Sequence, residues 1–214
     1  MTATVLAIGS QKGGVGKSTT ALYLATRAAE RLAGTQARPV VALVDRDEDR
    51  NLSALLGARP DLIRPGVTLV QDERLPSARE GYRLIIIDTP PGSTAIRSLR
   101  EAHYIVVPVL CELQSIMGLR TYLARIESQR VMVSPTMRLL ALLPTRVQPR
   151  AISDRVRLAE IGAIASAHRP PLTVLPPVPQ RESIKTYDLR AHEYDAPAEE
   201  LFGHAAIALD HTPA

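Results

Sequence analysis

The 214-residue chain holds one cysteine, Cys111, so no disulfide can close within it, and a reducing, cytoplasmic setting is the simplest expectation. Neither that thiol nor the five histidines stand at metal-ligand spacing; His103, at the start of an apolar run, reads as structural. No window approaches the roughly 18 consecutive apolar residues of a membrane-spanning helix. The opening stretch MTATVLAIGS has no basic segment ahead of an apolar run, so no secretion signal is expected. Repeats, low-complexity tracts and linkers are missing too, which leaves one domain over residues 1–214 as the expectation. Lysine is scarce: of 26 basic residues only Lys12, Lys17 and Lys185 are lysines. What remains is ordinary for a soluble globular protein, 45% hydrophobic and 22% charged. A chain of this size buries roughly 70% of its unfolded surface. The net charge of +4 allows an acidic polymer as partner without requiring one.

Two of the three lysines fall in SQKGGVGKSTT, residues 10–20, between the apolar run Val5, Leu6, Ala7, Ile8 and an alanine-rich helical pattern that starts near Lys17. The order is strand, glycine loop, helix. Gly13, Gly14 and Gly16 let the backbone turn its N–H groups inward as a nest for phosphate oxygens. Lys17 then reaches the outer phosphates, and Ser18, at the positive end of the helix, offers a hydroxyl to Mg²⁺. Gln11 stands where the strict G-x-x-x-x-G-K-[ST] pattern has its first glycine, so this is the deviant phosphate loop, with Lys12 as a second lysine at its front edge. The nucleotide-binding set of the loop is therefore Lys12, Gly13, Gly14, Val15, Gly16, Lys17, Ser18 and Thr19.

Apolar runs and helical spacings then alternate along the chain. Helix is expected over 17 to about 33, strand over 40–44, a short helix over 52–56 and a strand over 67–70. Residues 58–82, broken by Pro60, Pro65, Gly66, Pro76 and Gly81, read as loop with a brief helix after Leu75. Strands at 84–87, 105–109, 138–143 and 172–175 are interleaved with helices at 114–128, 152–167, 182–189 and 198–209. This alternation predicts an α/β fold, a doubly wound, mostly parallel sheet with helices on both faces. The run 84–87 ends in Asp88-Thr89-Pro90-Pro91-Gly92, the Walker B pattern of a buried strand presenting a carboxylate to the Mg²⁺ side of a nucleotide. Asp45 and Asp47 close the preceding apolar strand, at the sheet edge where such folds bind ligands.

With these residues the chain resembles the ParA/MinD group of P-loop ATPases, most closely the short ParA partition proteins without an N-terminal operator-binding domain. QKGGVGKSTT, VALVDRDEDRNLS, LIIIDTPPG and HYIVVPV carry the resemblance. LLPTRVQPR and PPVPQRESIKTY match more loosely. Asp45, Asp47, Asn51 and Ser53 fall on the group's V-D-x-D-P-Q-x-N-x-[ST] pattern, with Glu48 and Asp49 replacing Pro-Gln. The resemblance implies ATP and Mg²⁺ as ligands, slow dimer-gated hydrolysis, Ser18 and Asp88 on the metal side, and Asp47 positioning the attacking water. It implies Lys12 crossing to the nucleotide of a second copy, with Lys12, Lys17 and Asp47 as the catalytic set. It also implies a homodimer in the ATP state, non-specific DNA binding on the nucleoid, and a ParB-like or other cargo adaptor that stimulates hydrolysis. Thr145, Arg146 and Pro179 line the adenine on this reading or belong to a plain loop.

Alternatives stand beside several of these readings. Asp45 is either a strand-end cap or a functional acid. Arg150, Arg155, Arg157, Arg181 and Lys185 are candidates for DNA contact, or a solvated basic face. A MinD-like membrane ATPase would end in a basic amphipathic helix, whereas EELFGHAAIALDHTPA carries no Lys or Arg, so no stable membrane association is expected. An electron carrier on this scaffold would need more cysteine, and a tyrosine kinase would need a tyrosine cluster that Tyr187 and Tyr194 do not form. A small-molecule ATP-dependent enzyme on the same fold stays open.

Overall fold

The computed structural model describes residues 3–32, 40–71, 75–76, 81–92, 95, 99–204 and 207. Seven strands form one sheet in the order β3-β2-β4-β1-β5-β6-β7, and every pairing is parallel. The strands are β1 (Thr4–Ile8), β2 (Val41–Asp45), β3 (Val67–Val70), β4 (Leu84–Asp88), β5 (Tyr104–Leu110), β6 (Arg138–Thr145) and β7 (Thr173–Val174). The α-helices whose limits lie within the described residues are α1 (Lys17–Leu32), α2 (Asn51–Ala58), α3 (Leu113–Val133), α4 (Ile152–Ala167), α5 (Glu182–Lys185) and α6 (Asp195–Gly203).

The central strands β1, β2 and β4 are apolar between their end residues because helices cover both faces of the sheet. Leu6, Ile8, Leu84 and Ile86 pack with α1, α2 and α6 on one side. Their sequence neighbours Val5, Ala7, Ile85 and Ile87 pack with α3 and α4 on the other. Pro108 lies within β5 at no cost to the β1 ladder, since β1 pairs with β5 only as far as Val106 and then leaves the sheet at Gly9.

Register brings the chemistry to one edge. Ile8 and Asp45 are both level with Asp88, so the phosphate loop leaves β1 level with the acids that end β4, its neighbour, and β2, the next strand out. On one side of β1 lie β4, β2 and β3, and on the other β5 to β7. The chain thus changes direction at β1, where doubly wound sheets bind ligands.

Several limits differ from expectation. Helix α3 runs on to Val133, past residue 128. Helix α5 stops at Lys185, short of 189, because Tyr187 adopts the left-handed conformation (φ 57°), which a helix cannot continue through. Helix α6 begins at Asp195 and has ended by Gly203. The end of α1 expected near residue 33 and the brief helix after Leu75 fall outside the described residues, as do 208 and 209.

Candidate functional site

The phosphate loop is held at fixed points along its length. The Thr89 hydroxyl donates to the Ile8 carbonyl at 2.8 Å, and the Ser10 hydroxyl donates to the Lys12 carbonyl at 2.8 Å. From the end of β6, the Thr145 hydroxyl donates to the Val15 carbonyl at 2.9 Å. Gly14 and Gly16 have φ of 73° and 92°, whereas Gly13 is not in the left-handed region. Two of the three loop glycines are therefore required by backbone conformation. A Cβ at any of the three would meet nothing within 4 Å, so crowding plays no part. Lys17 opens α1 and is only 6% exposed, with Ser18 and Thr19 half-buried beside it.

The three acids have separate roles. Asp88 is fully buried, and neither carboxyl oxygen completes a hydrogen bond among the described residues. Burial pushes its pKa up from 3.8 to about 7. The Ser18 hydroxyl, close enough to favour the charged form, and the Lys17 ammonium oppose the rise, while Asp45 and Asp47 add to it. An orphaned carboxylate close to a serine hydroxyl offers two oxygen ligands of the kind a hard divalent cation takes.

Asp45 is 2% exposed and fully engaged: one oxygen accepts the Asp47 N–H at 3.1 Å and the other the Ser53 N–H at 2.7 Å. Arg50, at the N-cap of α2, has φ 48° and no side-chain cap. Asp45 therefore caps α2 from a distance and fixes the loop that carries Asp47. Of its two readings, the geometry favours the brace. Asp47 is half-buried, accepts the Asp49 N–H at 3.3 Å through one oxygen, and lines the cavity beside Lys17 and Ser18.

Two cavities adjoin along the loop. The one of about 350 Å³ is bounded by Gly13, Gly14, Lys17, Ser18, Asp47 and Asn51. Its neighbour of about 380 Å³ is bounded by Val15, Thr145, Pro179 and Ile184. Gly16, Thr19, Arg146 and Tyr187 line both, so the two make one trough. Thr145, Arg146 and Pro179, which sequence alone leaves open between an adenine wall and a plain loop, all line its second half. The far wall is tied to α1. Arg27 donates to Asp195 at 2.6 Å and to the Ala191 carbonyl at 2.6 Å. The Tyr23 and Tyr194 rings stack at 4.6 Å, and the Thr20 and Tyr194 hydroxyls lie 3.1 Å apart.

The basic candidates separate into two places. Arg181 and Lys185 line the trough, with Lys185 paired to Glu182 at 3.0 Å, so they are not on a face remote from the nucleotide site. Arg150 and Arg155 are exposed near the start of α4, and Arg157 is paired with Glu160 at 2.8 Å. Lys12 lines neither half of the trough; its ammonium donates to the Gln114 side-chain carbonyl at 3.1 Å. Tyr187 and Gln114 are the residues that sequence reasoning missed. Each is a lone side chain outside any motif, and Tyr187's place depends on a left-handed turn that no neighbouring glycine announces.

Comparison with known proteins agrees with this geometry. The family model for the CobQ/CobB/MinD/ParA nucleotide binding domain matches residues 6–193. The chromosome-partitioning ATPase Soj of Thermus thermophilus is 31% identical, over 74% of this chain and 75% of that protein. An ATP complex of a McdA variant from Cyanothece superposes with a TM-score of 0.74 over 99% of both chains at 19% identity, a likeness of fold. Cobyrinic acid a,c-diamide synthase from Mycobacterium smegmatis, with bound ADP and magnesium, gives 0.68 at 25% identity over 94% of this chain and 97% of that one.

Proposed function

The chain belongs to the CobQ/CobB/MinD/ParA nucleotide-binding family, and from that premise we propose that two copies close face to face over two ATP molecules, hold DNA while closed, and part on hydrolysis. As a ParA-like positioning ATPase it acts on ATP with Mg²⁺. The observation that carries the reading is the separation of the two loop lysines. Lys17 is buried in the trough, where it meets the phosphates of its own chain's nucleotide. Lys12 lines neither half of the trough and its ammonium is held by Gln114, which supports its use on the nucleotide of a second copy.

Each group in the trough has work that follows from its place. The amides of residues 13–18 and the Lys17 ammonium bind the phosphate oxygens. Ser18 and Asp88 would hold Mg²⁺, which when bound supplies positive charge to the triphosphate and offsets the charge of the buried carboxylate. Asp47 keeps one carboxylate oxygen clear of the Asp49 amide, and with it orients the attacking water. Thr145 fixes the loop, while Arg146, Pro179 and Tyr187 bound the space for the base and ribose. Lys12, arriving from the second copy, adds charge where the transition state needs it, so hydrolysis is slow until the pair forms.

DNA is held without sequence preference through phosphate neutralisation. Arg150 and Arg155, exposed and lining neither half of the trough, are the best placed of the basic candidates. A ParB-like or other cargo adaptor speeds hydrolysis and so releases the DNA, in the cytoplasm at the nucleoid. Among the described residues no helix is long and apolar enough to cross a membrane.

The test is Lys12→Ala. The variant should bind ATP with near-normal affinity yet stay a monomer by light scattering when ATP is added. Dimerisation of Lys12→Ala on ATP would contradict the face-to-face arrangement. DNA affinity of the wild type should be greater with ATP than with ADP and should fall steeply between low and high salt. Equal affinity in both nucleotide states would remove the switch.

A further inference from the structure

Gln114, Gly118 and Tyr122 are spaced four apart on α3 and share one face. Each meets a different residue at the front of the phosphate loop. Gln114 accepts the Lys12 ammonium at 3.1 Å. A Cβ at Gly118 would press on the Gln11 amide oxygen at 3.2 Å, so the missing side chain is what admits Gln11. A Cβ at Gly9 would come within 2.7 Å of the Tyr122 hydroxyl. Behind this seam is a small cavity of about 30 Å³, lined by Tyr122 and Ser115, whose buried hydroxyls have no hydrogen-bond partner among the described residues. It has room for about one water. Residues 9–12 therefore lie along a rail on α3, with the lysine fastened at its end.

We propose that Gln114 is a positioning residue that parks Lys12 in the single chain, and that this hydrogen bond must open before the ammonium can reach the nucleotide of a second copy. The inference rests on the face-to-face reading above and adds a regulator to it. A neutral amide suits this role because it holds the ammonium by one uncharged acceptor, where a carboxylate at 114 would hold it harder. The strength of the Lys12 contact then sets the protein concentration at which ATP pairs two copies. Each pairing opens two such contacts, one per chain, so an effect on one contact is squared in the dimer dissociation constant.

The experiment has two readouts on wild type, Gln114→Ala and Gln114→Glu. Amine acetylation of the nucleotide-free chain, followed by peptide mass spectrometry, gives the rate at Lys12 relative to Lys185. With only three lysines in the chain the peptides are unambiguous. Gln114→Ala should raise that ratio about two- to tenfold, the range expected for losing one such hydrogen bond, and Gln114→Glu should lower it. Sedimentation with ATP should show the dimer dissociation constant falling in Gln114→Ala by about the square of the labelling factor and rising in Gln114→Glu. Unchanged labelling in Gln114→Ala, or a shift of dimerisation in the same direction for both variants, overturns the proposal. A wild-type chain that stays monomeric in ATP overturns the face-to-face reading itself, and the gate with it, whatever the labelling shows.

Discussion

Raising the pH should destabilise the nucleotide-free chain through Asp88. Its carboxyl titrates at about 7 in the fold against an ordinary 3.8. Between those values the folded chain keeps a proton that the unfolded chain has released. The unfolded state binds fewer protons there, so stability falls as pH rises through the window and levels off above about pH 7. Three pKa units at about 1.4 kcal/mol each make the loss about 4 kcal/mol. Asp88→Asn is uncharged throughout and should lack this dependence. Urea unfolding of both proteins at intervals from about pH 4.5 to about pH 8 measures it: Asp88→Asn minus wild type should grow more favourable to the variant by several kcal/mol. Saturating Mg²⁺-ATP should flatten the wild-type slope, because the bound cation favours the ionised carboxylate. A variant-minus-wild-type difference that stays constant across the range would refute the assignment of an unpartnered, desolvated acid at the end of β4.

Other substitutions separate conformation from contact. Gly16→Ala should cost about 1–2 kcal/mol in backbone strain and weaken ATP binding, while Gly13→Ala should be near neutral; thermal melts and calorimetric titration with ATP check both, and equal penalties would contradict the loop conformation. Asp45→Ala leaves the Asp47 and Ser53 amides without their acceptor and should cost about 1–3 kcal/mol in denaturant unfolding. Loss of hydrolysis in Asp45→Ala with full stability would instead make Asp45 a functional acid.

The parts legible in the sequence were those in which one short segment carries both fold and chemistry. Residues 5–18 encode a buried strand, two obligatory left-handed glycines and a helix start, and each needs the others. Leu84 to Asp88 were as plain, because a carboxylate ending a fully apolar strand has few other uses. The wall of the trough was harder. Thr145 and Pro179 come from separate segments that meet only because Val147 pairs with Pro179, a long-range contact with no periodic signal. Arg181 and Lys185 look like surface charge until α5 stops after one turn and the chain swings Tyr187 over the trough. Arg157 was one of several equivalent arginines until the helix placed Glu160 one turn on. Gln114 could not be found at all, since a single amide at the start of a helix acquires meaning only from the lysine that reaches it across 102 positions of sequence.

A crystal structure of the chain with ATP and Mg²⁺ bound would decide whether two copies share their nucleotides. Two copies should face each other across the bound ATP, with each Lys12 released from Gln114 and its ammonium on the phosphates held by the other copy's Lys17. A single copy with ATP in the trough and Lys12 still seated on Gln114 would show that the face-to-face arrangement is wrong.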